Sequence, residues 1–96
     1  MLPQDIVTKV RQDFPADDAI AIIELLSELR QENPKIFGDR ILRCLVFSAH
    51  GSFDEFACQV KLARLDWRDV IMNAEYDRDM KTHCRDFNSP FTPNLA

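Results

Sequence analysis

The chain has little glycine and no strong turn signal. Only two glycines occur among its 96 residues, and neither an Asn-Gly nor an Asp-Gly pair is present. Those pairs are the strongest short-range signal of a β-hairpin, and runs of β-branched residues are also few, so an antiparallel sheet is disfavoured. The sequence therefore predicts helices joined by short connections.

Long apolar runs and clusters of basic residues are also missing. The longest apolar run, residues 41–49, is interrupted by Arg43 and Ser48 and is far shorter than the roughly 20 residues of a membrane span. The net charge is −4, from 16 acids and 12 bases, with no block of Lys and Arg of the kind that nucleic-acid binding needs. The first residues lack the basic and apolar segments of a secretory signal. We expect a cytoplasmic protein with neither a nucleic-acid nor a membrane partner.

The number of cysteines is too small and too uneven for a disulfide framework. Cys44, Cys58 and Cys84 are three in number and widely spaced. Cys44 and Cys58 lie in apolar helical patterns, which predicts small, reduced core residues and a reducing compartment.

No motif for catalysis or cofactor binding occurs. Two isolated glycines cannot form a phosphate-binding loop, and the only nucleophile next to a base is Cys84 beside His83, where neighbouring residues of a helix would point apart. The Cys and His residues also lack the paired spacing of a structural zinc site. We expect no metal, no cofactor and no catalytic residue, and the balance is against an enzyme.

Composition and periodicity predict a single all-α domain. Hydrophobic residues make up 46% of the chain and charged residues 29%, which is typical of a soluble globular protein. Apolar residues recur at spacings of three and four, and they predict a compact bundle of about five short helices. The predicted helices are 3–13, about 17–32, 40–50, one that starts after residue 52, and one that starts near residue 66. The domain is expected to span 1–84, and 85–96 to be a flexible tail or an arm laid across the body.

Several helix ends are predicted from capping residues. Asp39 and Asp66 are expected to cap the third and fifth helices, and Gly51 to end the third helix in the left-handed conformation. Ser52 and Glu55 fit a capping box, in which each side chain accepts a hydrogen bond from the backbone amide of the other residue.

The segment from Gly51 to Asp77 resembles a group of small bacterial proteins. It contains Gly-Ser-Phe at residues 51–53, then Leu-Ala-x-x-Asp-Trp-Arg-Asp-Val-Ile at 62–71 and Ala-Glu-Tyr at 74–76. These residues are similar to an LAxxD-aromatic-RDVIxxAEY stretch shared by that group of all-α hypothetical proteins. The resemblance covers under a third of the chain. It implies a helical bacterial protein and carries no particular chemistry.

An acidic cluster near the end of the last helix is one candidate site. Residues 66–79 contain five acids and two bases, and Asp69, Asn73 and Asp77 repeat at a spacing of four, where their oxygens could hold a divalent cation. An alternative function is therefore a small enzyme or a divalent-metal-binding accessory protein. Helix capping and pairing with Arg68 and Arg78 explain the same residues without a metal.

Protein interaction is the function that the sequence favours. An aromatic and polar mixture at one helix edge is typical of interfaces, and we predict the contact edge to comprise Trp67, Arg68, Asp69, Asn73 and Tyr76. The partner is expected to be another protein or a second copy of the chain. A nearly all-apolar third helix and a wide apolar second helix support self-association, although the same residues could complete the core of a monomer.

Two other binding functions follow from charge. Residues 1–35 hold seven acids and four bases, which would suit an inhibitor or immunity-type protein that docks on a basic partner. A helix-turn-helix reading with Gly51 in the turn is disfavoured, because Asp54 and Glu55 would repel DNA phosphates.

Overall fold

The computed structural model describes residues 2–77, 79 and 81–91. The predicted all-α fold is confirmed: α1 spans Gln4–Asp13, α2 Ala16–Glu32, α3 Asp39–Ala49 and α4 Phe53–Glu75. Over the described residues the extended structure is limited to an isolated antiparallel bridge between Tyr76 and His83.

Over the described part of the chain the helix count is four, so the prediction of about five helices is wrong. The predicted fourth and fifth helices form the single element α4, which is interrupted at Asp66. Asp66 has non-helical backbone angles, φ −155° and ψ 98°, and its Oδ1 accepts the amide of Arg68 at 3.1 Å. The carboxylate therefore starts a new helical turn as a cap would. The helix resumes at the next residue, which leaves no loop to separate two elements.

Helix α3 lies at the centre of the bundle. Eight of its eleven residues are buried, and it packs against both α4 and α1. Gly38, not the predicted Asp39, is its N-cap, and no side chain caps it. Asp39 instead forms an ion pair with Arg30 of α2, which draws its carboxylate away from the helix amides.

The turn between α3 and α4 depends on left-handed backbone. His50 and Gly51 have φ angles of 48° and 79°, which glycine adopts without strain. A Cβ on Gly51 would lie 2.6 Å from the carbonyl oxygen of Asp13, so the end of α1 also requires a glycine at this position.

Only half of the predicted capping box forms at the start of α4. The hydroxyl of Ser52 accepts the amide of Glu55 at 3.2 Å. The amide of Ser52, however, donates to the carbonyl of Ala49 at 2.9 Å, and the Glu55 carboxylate accepts from Gln59 at 3.1 Å. The turn geometry thus satisfies the amide that the Glu55 side chain was expected to bind.

Cys58, which was predicted to be a core residue, lies at the surface, and so do two large apolar side chains. Ile20 is 60% exposed and Trp67 is 42% exposed, although each falls on the apolar side of its helix pattern. Cys44, by contrast, is buried, and all three cysteines are free thiols. Periodicity identifies the apolar side of a helix but not how far the neighbouring helices reach along it.

The chain after α4 turns back across the bundle. Phe87 is buried, and Phe91 packs against the core. Residues 85–91 thus contact the helices, while the predicted tail or arm continues over 92–96, which lie outside the described residues. None of the described helices is long and apolar enough to span a membrane.

Candidate functional site

Two apolar side chains project into solvent on either side of the break in α4. Leu65 is 79% exposed and Trp67 is 42% exposed. Asp66 between them leaves the helical conformation, so the two side chains do not follow the regular helix that would separate them by 200°. We call Leu65 and Trp67 the apolar patch.

Charged groups of both signs surround the apolar patch. The Arg68 guanidinium lies 5.9 Å from the centre of the Trp67 ring and 3.5 Å from the Asp66 carboxylate. Its side chain remains largely exposed, as does Asp69. Aromatic and Arg side chains are enriched at protein interfaces and carry much of their binding energy.

The predicted contact edge divides into two parts. Trp67, Arg68 and Asp69 lie together at the break. Asn73 is exposed and lines a shallow depression of about 510 Å³ with Ser48, His50 and Gln59 among its other residues. Tyr76 is half-buried and packs on His83, with ring centres 5.0 Å apart. Leu65 was not predicted, because its exposure depends on where the neighbouring helices end and not on the local sequence.

The only acidic side chain buried among the described residues belongs to Glu75, the last residue of α4. It is fully buried and accepts hydrogen bonds from Arg40 at 2.8 and 2.7 Å, from the backbone amide of Phe87 at 3.2 Å and, from the Cys44 thiol, at 3.8 Å. His83 Nε2 lies 2.7 Å from Oε1. These contacts join α3, α4 and the returning chain at one carboxylate.

Hydrogen bonding keeps the Glu75 carboxylate ionised. Burial by itself raises its pKa, but the hydrogen bonds from Arg40, His83 and the Phe87 amide outweigh burial and lower the pKa to about 2. Burial, followed by the negative charge of Glu75, raises the pKa of the Cys44 thiol to about 12. Cys44 is therefore a protonated thiol at neutral pH, which makes it a poor nucleophile.

A second buried ion pair ties the returning chain to α1. Arg43 of α3 donates to both carboxylate oxygens of Asp5, at 2.9 and 3.2 Å, and to the carbonyl of Phe87 at 3.1 Å. Asp5 also accepts the amide of Phe91 at 3.0 Å. Burial raises the pKa of Asp5, but the Arg43 and Phe91 hydrogen bonds outweigh it and lower the pKa below its ordinary value.

Sequence reasoning assigned Glu75 to the acidic cluster and missed its structural role. A signal was present: Glu75 follows Ile71 by four residues, so it continues the apolar stripe of the helix. A carboxylate in an apolar stripe requires a buried partner. Arg40, which supplies that partner, is 35 residues away in sequence, and no local pattern connects the two.

The acidic cluster does not assemble into a cation site over the described residues. No group of three or more His, Cys, Asp or Glu side chains there is placed to hold a metal ion. Glu75 points into the core, and Asp79 accepts the amides of Lys81 and Thr82, both at 2.9 Å. Asp69 is exposed on the outer surface of α4. Burial thus explains the position of Glu75, and a turn explains that of Asp79, without a bound cation.

Comparisons of the chain with protein-family models, with curated proteins and with solved structures found no match.

Proposed function

We propose that the protein is a non-catalytic interaction module that pairs with a second copy of itself through the apolar patch. The observation that carries the proposal is the exposure of Leu65 and Trp67 together at the break in α4. Exposed apolar surface that is rimmed by polar residues marks interaction sites. The three free thiols support action in the bacterial cytoplasm.

The charges around the apolar patch favour a second copy as the partner. Isologous pairing brings the same surface of two protomers together, and it therefore needs a surface that is complementary to itself. Arg68 and Asp69 are adjacent, exposed and opposite in charge. A two-fold axis near Trp67 can place Arg68 of one protomer against Asp69 of the other, with Leu65 and Trp67 desolvated between them.

Sedimentation equilibrium of single and double variants tests this proposal. The unmodified chain, with a monomer mass of 11.1 kDa, should show a dimer that dissociates on dilution within the micromolar range. The double substitution Leu65→Ser and Trp67→Ser should leave only monomer. Ile20→Ser is the matched control, because Ile20 is also an exposed apolar residue but lies away from the patch. The part of α2 near the patch is Glu32, which pairs with Arg64 of α4, and Ile20 is about 18 Å from Glu32 along α2.

Charge reversal tests the predicted pairing in more detail. Arg68→Asp and Asp69→Arg should each weaken the dimer, because like charges would face each other across the two-fold axis. Combining both substitutions in one chain should restore association. An unmodified chain that remains a monomer of 11.1 kDa at every concentration would argue against self-pairing at this surface. A double variant that associates more weakly than both single variants would do the same.

A further inference from the structure

The returning chain and α1 enclose a second potential binding site, remote in sequence from the apolar patch. The cavity has a volume of about 660 Å³, within the range of small-molecule sites. Helix α1 forms one wall, and residues 84–91 form the other. Three aromatic rings line it: Phe47 of α3 and, from the returning chain, Phe87 and Phe91.

The aromatic wall is held in place by contacts that do not involve a ligand. The Phe87 ring centre lies 5.2 Å from that of Phe47 and 5.5 Å from that of Phe91. The backbone of Phe87 is fixed at both ends, since its amide donates to Glu75 and its carbonyl accepts from Arg43. The cavity is thus largely preformed, which lowers the cost of binding.

One cation at the cavity has no carboxylate partner among the described residues. The Arg85 guanidinium lies 4.7 Å from the centre of the Phe47 ring and donates one hydrogen bond, to the carbonyl of Ala74 at 3.2 Å. These two contacts orient the guanidinium and leave other N–H groups for a ligand, because an Arg side chain has five. Arginine recognises planar carboxylates through such paired donors.

The other charged groups that line the cavity either have an ion-pair partner already or are negative and would repel a ligand that carries two negative charges. Asp5 is neutralised by Arg43, and Lys9 forms an ion pair with Asp13 at 3.3 Å. Asp86 is exposed and accepts the amide of Asn88, so its carboxylate adds a negative charge to the rim. A ligand with a single carboxylate suits this arrangement better than a dianion.

We propose that this cavity binds a small aromatic monocarboxylic acid. The ring of the ligand packs among Phe47, Phe87 and Phe91, and its carboxylate accepts hydrogen bonds from Arg85. This binding is independent of self-association, because the cavity and the apolar patch share no residue.

Titration of the 96-residue chain with phenylacetate, followed by NMR amide shifts, tests the site. Phenylacetamide is the matched neutral probe, because it has the same ring and lacks the charge. Phenylacetate should shift amides of α1 and of residues 84–91, and phenylacetamide should bind at least about tenfold more weakly, the value expected when hydrogen bonds lose a charged partner.

Two substitutions separate the role of the cation from that of the cavity. Arg85→Gln should weaken phenylacetate binding at least about tenfold and abolish the preference for phenylacetate over phenylacetamide. Arg11→Gln, on α1 but outside the cavity, should leave the affinity and the preference unchanged. Thr8→Phe, which places a ring inside the cavity, should block both probes. A native amide spectrum of each variant shows that it folds. Absence of shifts at millimolar phenylacetate, shifts confined to other surfaces, or equal binding of both probes would overturn the proposal.

Discussion

Arg40 of α3 holds Glu75 of α4 in a bidentate ion pair, with Nε 2.8 Å from Oε2 and the second guanidinium nitrogen 2.7 Å from Oε1. Glu75 is fully buried, and its backbone carbonyl accepts the amides of Cys84 and Arg85 at 2.8 and 3.0 Å. The same residue therefore connects the two most extensively packed helices with the chain that returns over them. Stability and the position of the cavity wall both depend on this contact.

Removing the charge of Glu75 should destabilise the fold strongly. Glu75→Gln removes the buried charged acceptor of the Arg40 guanidinium, whose side chain is itself 36% exposed, so we expect a loss of about 1.5–3 kcal/mol, the contribution of hydrogen bonds to a charged group. Urea unfolding followed by circular dichroism measures the change. Glu32→Gln is the control, because Glu32 pairs with Arg64 at the surface, where a pair contributes at most about 1 kcal/mol. Equal losses in the two variants would contradict the role assigned to Glu75.

Acid should remove the same stabilisation. The pKa of Glu75 is lowered from 4.5 to about 2 by folding, so the native state binds fewer protons than the unfolded state between these values. The stabilisation is present in full above pH 4.5 and is lost as the pH falls toward 2. The free energy of unfolding, measured by urea titration at a series of pH values, should decline over this window. The decline should be smaller in Glu75→Gln, which has no carboxyl to protonate at that position.

Two of the three thiols should react with a thiol reagent in the native protein, and the third should not. Cys58 and Cys84 are exposed, and Cys44 is buried with its pKa raised to about 12. Ellman's reagent should therefore modify two thiols rapidly in the native protein and the third only on unfolding. Cys44→Ala should leave the fast phase unchanged and remove the third thiol. Rapid modification of all three thiols under native conditions would contradict the burial of Cys44.

Gly51 should tolerate no side chain. Gly51→Ala places a Cβ 2.6 Å from the carbonyl oxygen of Asp13 in a left-handed conformation, and the conformation alone costs about 1–2 kcal/mol. Gly38→Ala is the control, because a Cβ there meets no atom within 4 Å, and its cost should stay below about 1 kcal/mol. Thermal unfolding of both variants measures the difference. A Gly51→Ala protein as stable as Gly38→Ala would exclude the close approach of α1.

The helices and several of their ends could be predicted because their signals are local. Pro15 and Asn33 bound α2, and Gly51 and Ser52 mark the turn before α4, where the neighbouring sequence alone selects the backbone conformation. The path of the returning chain could not be predicted in the same way. It depends on contacts such as Phe91 with Asp5, which are 86 residues apart. The candidate contact edge was predicted from composition, whereas the exposure of Leu65 depends on where the neighbouring helices end.

The proposed self-association can be tested most directly at Trp67, the only tryptophan of the chain. Acrylamide quenching of its fluorescence reports how accessible the indole is, and Trp67 is exposed in a single copy. If two copies pair through Leu65 and Trp67, the quenching constant should fall as the protein concentration rises, and in Leu65→Ser it should keep the value of the dilute protein. A quenching constant that is independent of concentration across the micromolar range would contradict the proposed interface.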